Sequence, residues 1–303
     1  MLHKILSLRL YAGGILLLLL LIGQRGLAQE DKLLIRLSSG YEGQDFHWSI
    51  AGNSAGQDPN IYSELKWRNT GGPSGKVDLQ WKPWGRWRVF ASGSRVFTRS
   101  GSFTDTDYGL DNRYDAVYHQ EFNVRSGYSE AASAGIGYSL LKGGRWQLTP
   151  FAGYGITAQY FPIVDPDGPF GQLNSSYSAK WLGPLVGADA SWQFCKRWQV
   201  VANASYNQVK YHAVADWNLI SSLAQPVSFR HKADGYGFEA EAGMRYKASC
   251  RLAVELRGGY FEYETGKGID QLYLSTGGSD ETQLNGVVRE GYRAILTVEM
   301  RLF

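Results

Sequence analysis

Apolar and polar side chains alternate along several stretches of the chain. In the run 238–247 one face is apolar and the other carries charged residues and a glycine, and the same alternation holds over 146–156 and 252–257. A period of two indicates β-strands with two unlike faces. An apolar face suits lipid, and a face of small residues between charges suits a narrow lumen filled by side chains. The pattern therefore favours a membrane barrel over a soluble sandwich.

Short turns and long polar loops alternate between these strands. The four short turns are Lys82-Pro83-Trp84-Gly85, Lys142-Gly143-Gly144-Arg145, Phe194-Cys195-Lys196-Arg197 and Lys247-Ala248-Ser249-Cys250. Outer-membrane barrels have short periplasmic turns and longer external loops. The predicted fold is all-β, an antiparallel up-and-down transmembrane β-barrel of ten strands, at roughly 32–48, 60–82, 86–101, 121–141, 145–161, 178–194, 197–216, 234–248, 250–266 and 288–303. The external loops, where function is expected, are then roughly 49–59, 102–120, 162–177, 217–233 and 267–287.

The first 28 residues have the features of a secretory signal. Lys4 and Arg9 precede the apolar run 15–22, which is too short to span a bilayer, and small residues form a cleavage site. We expect this peptide to be removed, leaving one outer-membrane β-barrel domain, 29–303, in a Gram-negative bacterial cell. The terminal Phe303 is typical of strands read by the barrel-assembly machinery, although the neighbouring apolar residues alternate out of phase with it.

Composition narrows the choice of partners. Glycine is plentiful, with 37 residues, and aromatic residues reach 14%, as the interfacial girdles of a barrel require. The formal charge of +3 comes from the three basic residues of the signal, so the remaining chain is balanced and no nucleic acid is expected. The expected partners are outer-membrane lipid, including lipopolysaccharide, and a peptide or protein ligand at the external loops.

Several aromatic and basic residues are expected near the membrane surface. We expect girdle or rim positions, rather than ligand stacking, for Trp67, Trp81, Trp84, Trp87, Tyr160 and Trp181. Arg95, Arg99 and Lys180 either meet lipopolysaccharide phosphates or only solubilise the rim.

The two cysteines, Cys195 and Cys250, both lie in short turns, on the side that would face the oxidising periplasm. The strands that they flank are neighbours, but a disulfide needs Cα atoms within about 7 Å. A bridge and two free thiols both remain open.

One predicted loop carries two carboxylates on the same face. Asp105 and Asp107 stand two residues apart on an extended segment, so their side chains share one face about 7 Å apart. Such a pair can hold a water molecule or attract a cation. Aspartate at loop tips is also ordinary turn chemistry.

The surrounding sequence resembles the omptin family of outer-membrane proteases. The resemblance lies in Leu65-Lys66-Trp67-Arg68-Asn69, Gly75-Lys76-Val77-Asp78-Leu79-Gln80-Trp81, Ala91-Ser92-Gly93, the pair Asp105 and Asp107, and Leu182-Gly183-Pro184-Leu185-Val186-Gly187. It extends, through the loop layout, over nearly the whole mature chain. The resemblance implies a ten-strand barrel in which Asp105 and Asp107 are catalytic.

The other half of the omptin site is altered. Omptins have an Asp and a His two residues apart at the top of the seventh strand, where this chain has Asp216 and Asn218. An imidazole held by a carboxylate can take a proton near neutral pH, whereas an amide cannot. The acidic residue that omptins carry just upstream is replaced by Val214. Strict alternation from Trp198 would also direct Asp216 outward, so a bulge is needed to bring it into the groove.

Other imidazoles are candidates for the missing base. His212 lies about 20 Å from Asn218 along an extended strand, which is too far. His231 could lean back beside Asp216, and His119 descends near Asp107; both remain open. Without an imidazole, two carboxylates would have to share a proton around water under acidic conditions, or the site would bind a cation or ligand without bond cleavage. No metal or cofactor site is predicted.

Enzymatic activity is thus left open. The favoured hypothesis is an omptin-like barrel whose external groove is degenerate for proteolysis and serves ligand or partner binding or envelope structure. The alternative is an active omptin-type aspartic endopeptidase in which Asp105, Asp107 and Asp216 activate water. A diffusion porin is disfavoured because ten strands enclose a lumen filled by side chains.

Overall fold

Long alternating segments form a closed antiparallel sheet. The computed structural model describes residues 32–141 and 143–302; the predicted signal 1–28, Lys142 and the terminal Phe303 lie outside them. The strands are β1 (Leu33–Ile50), β2 (Ser63–Trp81), β3 (Trp87–Phe97), β4 (Ser100–Leu110), β5 (Tyr114–Asn123), β6 (Tyr128–Tyr138), β7 (Trp146–Val164), β8 (Asn174–Gln193), β9 (Trp198–Asp216), β10 (Phe229–Lys247), β11 (Leu252–Thr265), β12 (Gly268–Tyr273) and β13 (Ser279–Leu302).

Ten of these strands make the ring of the barrel. β1 pairs with both β2 and β13, which closes the sheet, and the order continues through β11, β10, β9, β8, β7, β6 and β3. β4, β5 and β12 extend the wall at the end with the long loops, which we call the upper end. The predicted ten-strand, up-and-down barrel is confirmed. No helix in the described part of the chain is long and apolar enough to cross a membrane.

Two of the predicted loops are largely strand. Most of 102–120 belongs to β4 and β5, which meet at a turn over Asp111–Arg113, and most of 267–287 belongs to β12 and β13. Above a membrane both faces of a strand can be polar, so the alternation of apolar and polar residues disappears although the strand continues. The barrel wall therefore rises higher than the sequence pattern indicates.

Two aromatic belts encircle the outer surface. Near the short turns the ring pairs are Trp87 with Tyr138, Trp146 with Trp192, and Trp198 with Tyr246. The upper belt has Tyr128 with Tyr160, Tyr206 with Tyr236, and Tyr260 with Tyr292. Exposed apolar residues lie between the belts, including Val89, Ile136, Val186, Leu256 and Leu296. Along β6, ten residues of a tilted strand separate Tyr138 of the lower belt from Tyr128 of the upper belt, or about 25 Å, which is the height of the apolar band of an outer-membrane barrel.

The prediction of surface positions was wrong for two tryptophans. Trp67 and Trp181 are each only 1% exposed and lie inside the barrel, whereas Trp84 is 68% exposed. An isolated tryptophan in an alternating strand can belong to either face, and here both residues follow the inward phase.

Paired charges fill the lower lumen, as the small and charged inward residues predicted. Glu255 and Glu299 are fully buried, and each contacts more than one arginine. Higher up, Arg293 lies between Glu42, Glu239 and Glu241. A cavity of about 220 Å³ remains beside these pairs, against the small side chains of β3 and β6.

The upper barrel is filled by aromatic and aliphatic side chains. The largest buried rings are Phe46, Trp67, Phe103, Phe161, Tyr177, Trp181, Tyr211 and Phe261. They form the main apolar core of the described residues and separate the charged lumen from the long loops. Both cysteines, Cys195 and Cys250, are exposed free thiols in the short turns.

Candidate functional site

Asp105 and Asp107 share the inward face of β4. Alternation places them in phase with Phe103, which is 1% exposed and packs in the core. Asp105 lies opposite Leu65 of β2, and its β5 neighbour is Gln120. Asp105 is itself only 5% exposed. The structure thus brings together the two carboxylates that the sequence singled out, at the upper end of the barrel.

The surroundings of the pair favour protonated carboxyl groups. Burial, followed by the nearby charge of Asp107, raises the pKa of Asp105 to about 8. Burial also raises the pKa of Asp107, and a hydrogen bond from Ser63 partly offsets that rise. Burial and the two carboxylates raise the pKa of Tyr118. Among the described residues no cation forms an ion pair with either aspartate, so no neighbouring positive charge opposes the rise in the pKa of Asp105.

Asp216 lies on the other face of the barrel wall. Ala213, Ala215 and Trp217 point inward and are buried, so Asp216, in the opposite phase, is directed outward. The pairing of β9 with β8 and with β10 runs without a register shift. The bulge that would turn Asp216 into the groove is therefore not formed. Its Oδ1 atom is buried without a hydrogen-bond partner.

Asn218 ties two long loops together. Its Oδ1 accepts hydrogen bonds from the backbone N–H of Asn174 at 3.0 Å and from Ser175 Oγ at 2.9 Å. Its Nδ2 donates to the carbonyl of Gln172 at 2.9 Å. The side chain uses the donor and the acceptor of an amide at once, and its contacts are to Gln172 of the β7–β8 connection and to Asn174 and Ser175 at the start of β8.

Two of the candidate imidazoles lie outside the groove. His212 is exposed, opposite Lys180 and Lys232 on the neighbouring strands. His119 lies on the outer face of β5, where Nδ1 is 2.8 Å from Thr106 Oγ1. Neither imidazole is directed toward the aspartate pair.

His231 faces inward, next to a carboxylate that the sequence did not single out. Its Nε2 is 3.1 Å from Oδ1 of Asp270, without the alignment of a hydrogen bond. Its Nδ1 is 2.7 Å from the hydroxyl of Tyr177, which is 2.6 Å from the hydroxyl of Tyr211. Asp270 also accepts a hydrogen bond from Thr282. These buried groups form one polar chain across β8, β9, β10, β12 and β13.

The sequence analysis did not predict this chain of buried polar groups, because both His231 and Asp270 fell in predicted loops. His231 was in the loop 217–233 and Asp270 in the loop 267–287. The available signal was the alternation of Phe229 and His231, which continues the inward phase of β10.

Aromatic rings separate His231 from the aspartate pair. His231 packs beside Tyr177, Tyr177 contacts Trp67 at 5.6 Å, and Trp67 contacts Phe103 at 4.7 Å between ring centroids. Trp217, just beyond β9, also approaches Phe103 at 6.3 Å. Aromatic rings therefore fill the interior between His231 and Phe103, which lies two residues from Asp105 on β4. No group of three or more His, Cys, Asp or Glu among the described residues is arranged to hold a metal ion.

Comparisons with known proteins agree with the barrel. The model of the family described as Pom, Protochlamydia outer membrane protein, matches residues 36–302. None of the curated proteins matches the chain. The outer membrane protease OmpT from Escherichia coli is similar over 92% of this chain and 99% of that chain, with a TM-score of 0.72 and 15% identity. The match to the translocator domain of the autotransporter NalP from Neisseria meningitidis covers 99% of this chain and 95% of that domain, with a TM-score of 0.39 and 11% identity. At 15% identity the likeness to OmpT concerns the fold alone.

Proposed function

The chain belongs to the Protochlamydia outer membrane protein family, and we propose that it is a surface-binding barrel whose omptin-like groove no longer performs proteolysis. The protein resides in the outer membrane. In the proposal, 1–28 is a signal peptide, the strands span the bilayer between the two aromatic belts, and the upper end faces outward. The groove then presents a binding surface for a peptide or protein at the cell exterior.

The bonding of Asn218 carries this proposal. Water attack in the omptin manner needs an imidazole opposite the aspartate pair, held by a second carboxylate. At the corresponding position this chain has an amide committed to the β7–β8 connection, and Asp216 is directed to the outer face. The aromatic rings beside Asp105 further reduce the room for a substrate carbonyl and a water molecule.

One observation favours the alternative, an omptin-type endopeptidase. Asp105 and Asp107 keep the inward phase, and the pKa of Asp105, at about 8, would allow it to hold the proton of a shared pair. Two carboxyl groups that share a proton can activate water, as in aspartic proteases. Activity of this kind would depend on both aspartates and would not need Asp216.

Anionic lipid is the proposed neighbour of the outer surface. Lys180, His212 and Lys232 lie side by side on three strands, above the upper belt. Arg95 lies over the ring of Tyr128 at 4.5 Å. Cations at headgroup level attract lipid phosphates, and lipopolysaccharide is the anionic lipid of the outer leaflet.

Peptide cleavage tests the proposed function. Refolded protein, with added lipopolysaccharide, is incubated with a mixture of peptides at pH values from 4 to 9, and the products are examined by mass spectrometry. We expect intact peptides throughout. Cleavage that is lost in both Asp105→Ala and Asp107→Ala would instead establish the endopeptidase, and cleavage unaffected by either variant would exclude the aspartate pair as its source.

A further inference from the structure

One strand edge in the upper wall has no partner. β5 pairs with β4 on one side, and no strand of the described residues pairs with its other side. Across the gap, the pairing of β7 with β6 ends at Tyr160, so 161–164 is paired with β8 alone. We call this gap between β5 and upper β7 the seam.

The seam is bounded at both ends. At its lower end Phe122 contacts Phe170 at 5.8 Å, and Arg125 bonds to Asp167 at 2.6 Å. At its upper end the wall stops at the turn Asp111–Arg113. The free edge between these limits covers 114–121, about 26 Å of extended chain.

The free edge lacks proline and lysine, two common protections against pairing. Exposed edges are commonly blocked by these residues, by a β-bulge or by a covering loop. β5 has neither residue in its sequence YDAVYHQEFN, and Tyr114 and Val117 are 69% and 63% exposed. Asp115, with φ of 57°, is an irregularity near its upper end. The register of β5 against β4 also shifts between Asp107 and Tyr108, which leaves Val117 as a bulge. The regular stretch 118–121 is therefore the part of the edge that can accept another backbone.

Charge around the seam limits the kind of chain that fits. Asp115 and Glu121 of β5, and Asp165 across the gap, have no ion-pair partner among the described residues. The nearby cations are engaged, since Arg113 binds Glu64 and Arg125 binds Asp167. An added chain with acidic side chains would be repelled.

We propose that the β5 edge binds an extended peptide segment of a partner protein, without acidic side chains, as an added β-strand. The free N–H and C=O groups of an edge match only another extended backbone, which is the basis of strand addition. Alternate side chains of the added strand would enter the groove beside Tyr118 and Gln120, next to the aspartate pair. This mode of binding rests on the function proposed above and specifies its surface.

Hydrogen exchange with a pair of peptides tests strand addition. The probe is a blocked eight-residue peptide of alternating valine and lysine, and its control carries N-methyl groups on the four central residues. Both have the same side chains and charge, but the N-methyl groups of the control remove the backbone N–H donors that pair one strand with another. At millimolar peptide we expect the probe to slow exchange of about two β5 amides within 118–121, since alternate N–H groups face the seam. The control, and a valine–glutamate peptide, should have no effect.

Protein variants provide the matched comparison. Glu121→Lys places a lysine on the edge and should weaken protection by the probe at least several-fold. Glu281→Lys, at an exposed position of β13, should leave it unchanged. Equal protection by the N-methylated peptide, protection only outside β5, or no slowing by the probe would overturn the proposal.

The fate of the probe separates this proposal from the function on which it rests. Protection of β5 together with a cleaved probe would support strand addition and contradict the loss of proteolysis. An intact probe without protection of β5 would contradict strand addition and leave the non-proteolytic barrel standing.

Discussion

Asn218 makes a set of contacts that a histidine in its place could not make. One amide accepts two hydrogen bonds and donates a third, all within the link between the β7–β8 and β9–β10 loops. A neutral imidazole has one donor and one acceptor on a rigid ring, with a different spacing. A histidine at position 218 would therefore change both the chemistry and the loop contacts at this place.

Replacing Asn218 by histidine should destabilise the loops without restoring proteolysis. The lost hydrogen bonds and the unsatisfied N–H of Asn174 should cost about 1–3 kcal/mol. The measurement is the urea-unfolding midpoint in detergent together with peptide cleavage, with Asn123→His at an exposed site as control. Cleavage by Asn218→His would show that the imidazole alone was missing.

Asp105 should make the barrel less stable as the pH rises. Its folded pKa of about 8 lies above the ordinary value of 3.8, so the folded state binds more protons than the unfolded state between these pH values. Stability is then greatest below this window and falls through it, by an amount on the order of a few kcal/mol.

The side chain of the Asp105→Asn variant resembles the protonated acid. The variant should therefore lose most of the pH dependence of the free energy of unfolding, and it should be more stable than the parent protein at pH 9. Unfolding midpoints at pH 5, 7 and 9 test it, with the exposed Asp115→Asn as control. A parallel decline in Asp105→Asn and the parent would contradict the assignment.

At the scale of elements, hydrophobic periodicity predicted the strands of the apolar band. It failed to predict the strand segments that extend above this band. The bottom of β10, with Phe238 and Met244 outward, was recognised, whereas β4, β5 and β12 were taken for loops. β4 has the Gly, Asp, Ser and Thr of a loop, β5 and β12 lack a clear alternation, and only tertiary pairing reveals all three. The aspartate pair was found from its spacing and its family resemblance, but its partner Gln120 and the His231–Asp270 contact depend on register between strands.

His231 and Asp270 should act as one unit that holds β12 against β10. Each is almost fully buried, so removing either partner leaves a polar group without compensation, at a cost of about 2–4 kcal/mol. We expect His231→Phe and Asp270→Leu to be destabilising singly and the double variant to recover part of the loss. Unfolding midpoints of the four proteins, and exchange of the amides of Gly268–Tyr273, measure the coupling. Strictly additive effects would show that the two residues do not interact.

At the scale of the molecule, two different fillings close the barrel. Buried arginine–glutamate pairs occupy the lower lumen, and aromatic rings occupy the upper part, with a cavity of about 220 Å³ beside the ion pairs. A ring of ten strands is small enough for side chains to fill it. The aromatic layer lies next to the upper wall that carries the aspartate pair and the seam.

This closure predicts the electrical behaviour of the protein. Reconstituted in planar bilayers, the parent barrel should show no steady open-pore conductance, because ions would have to cross both the ring layer and the paired charges. Trp67→Ala removes one of the largest buried rings and should allow brief openings, at a cost of about 3–5 kcal/mol in stability. Trp84→Ala, at an exposed turn, should behave like the parent. A stable conductance in the parent would mean that the aromatic layer and ion pairs do not seal the lumen, and the porin hypothesis would then replace the closed barrel.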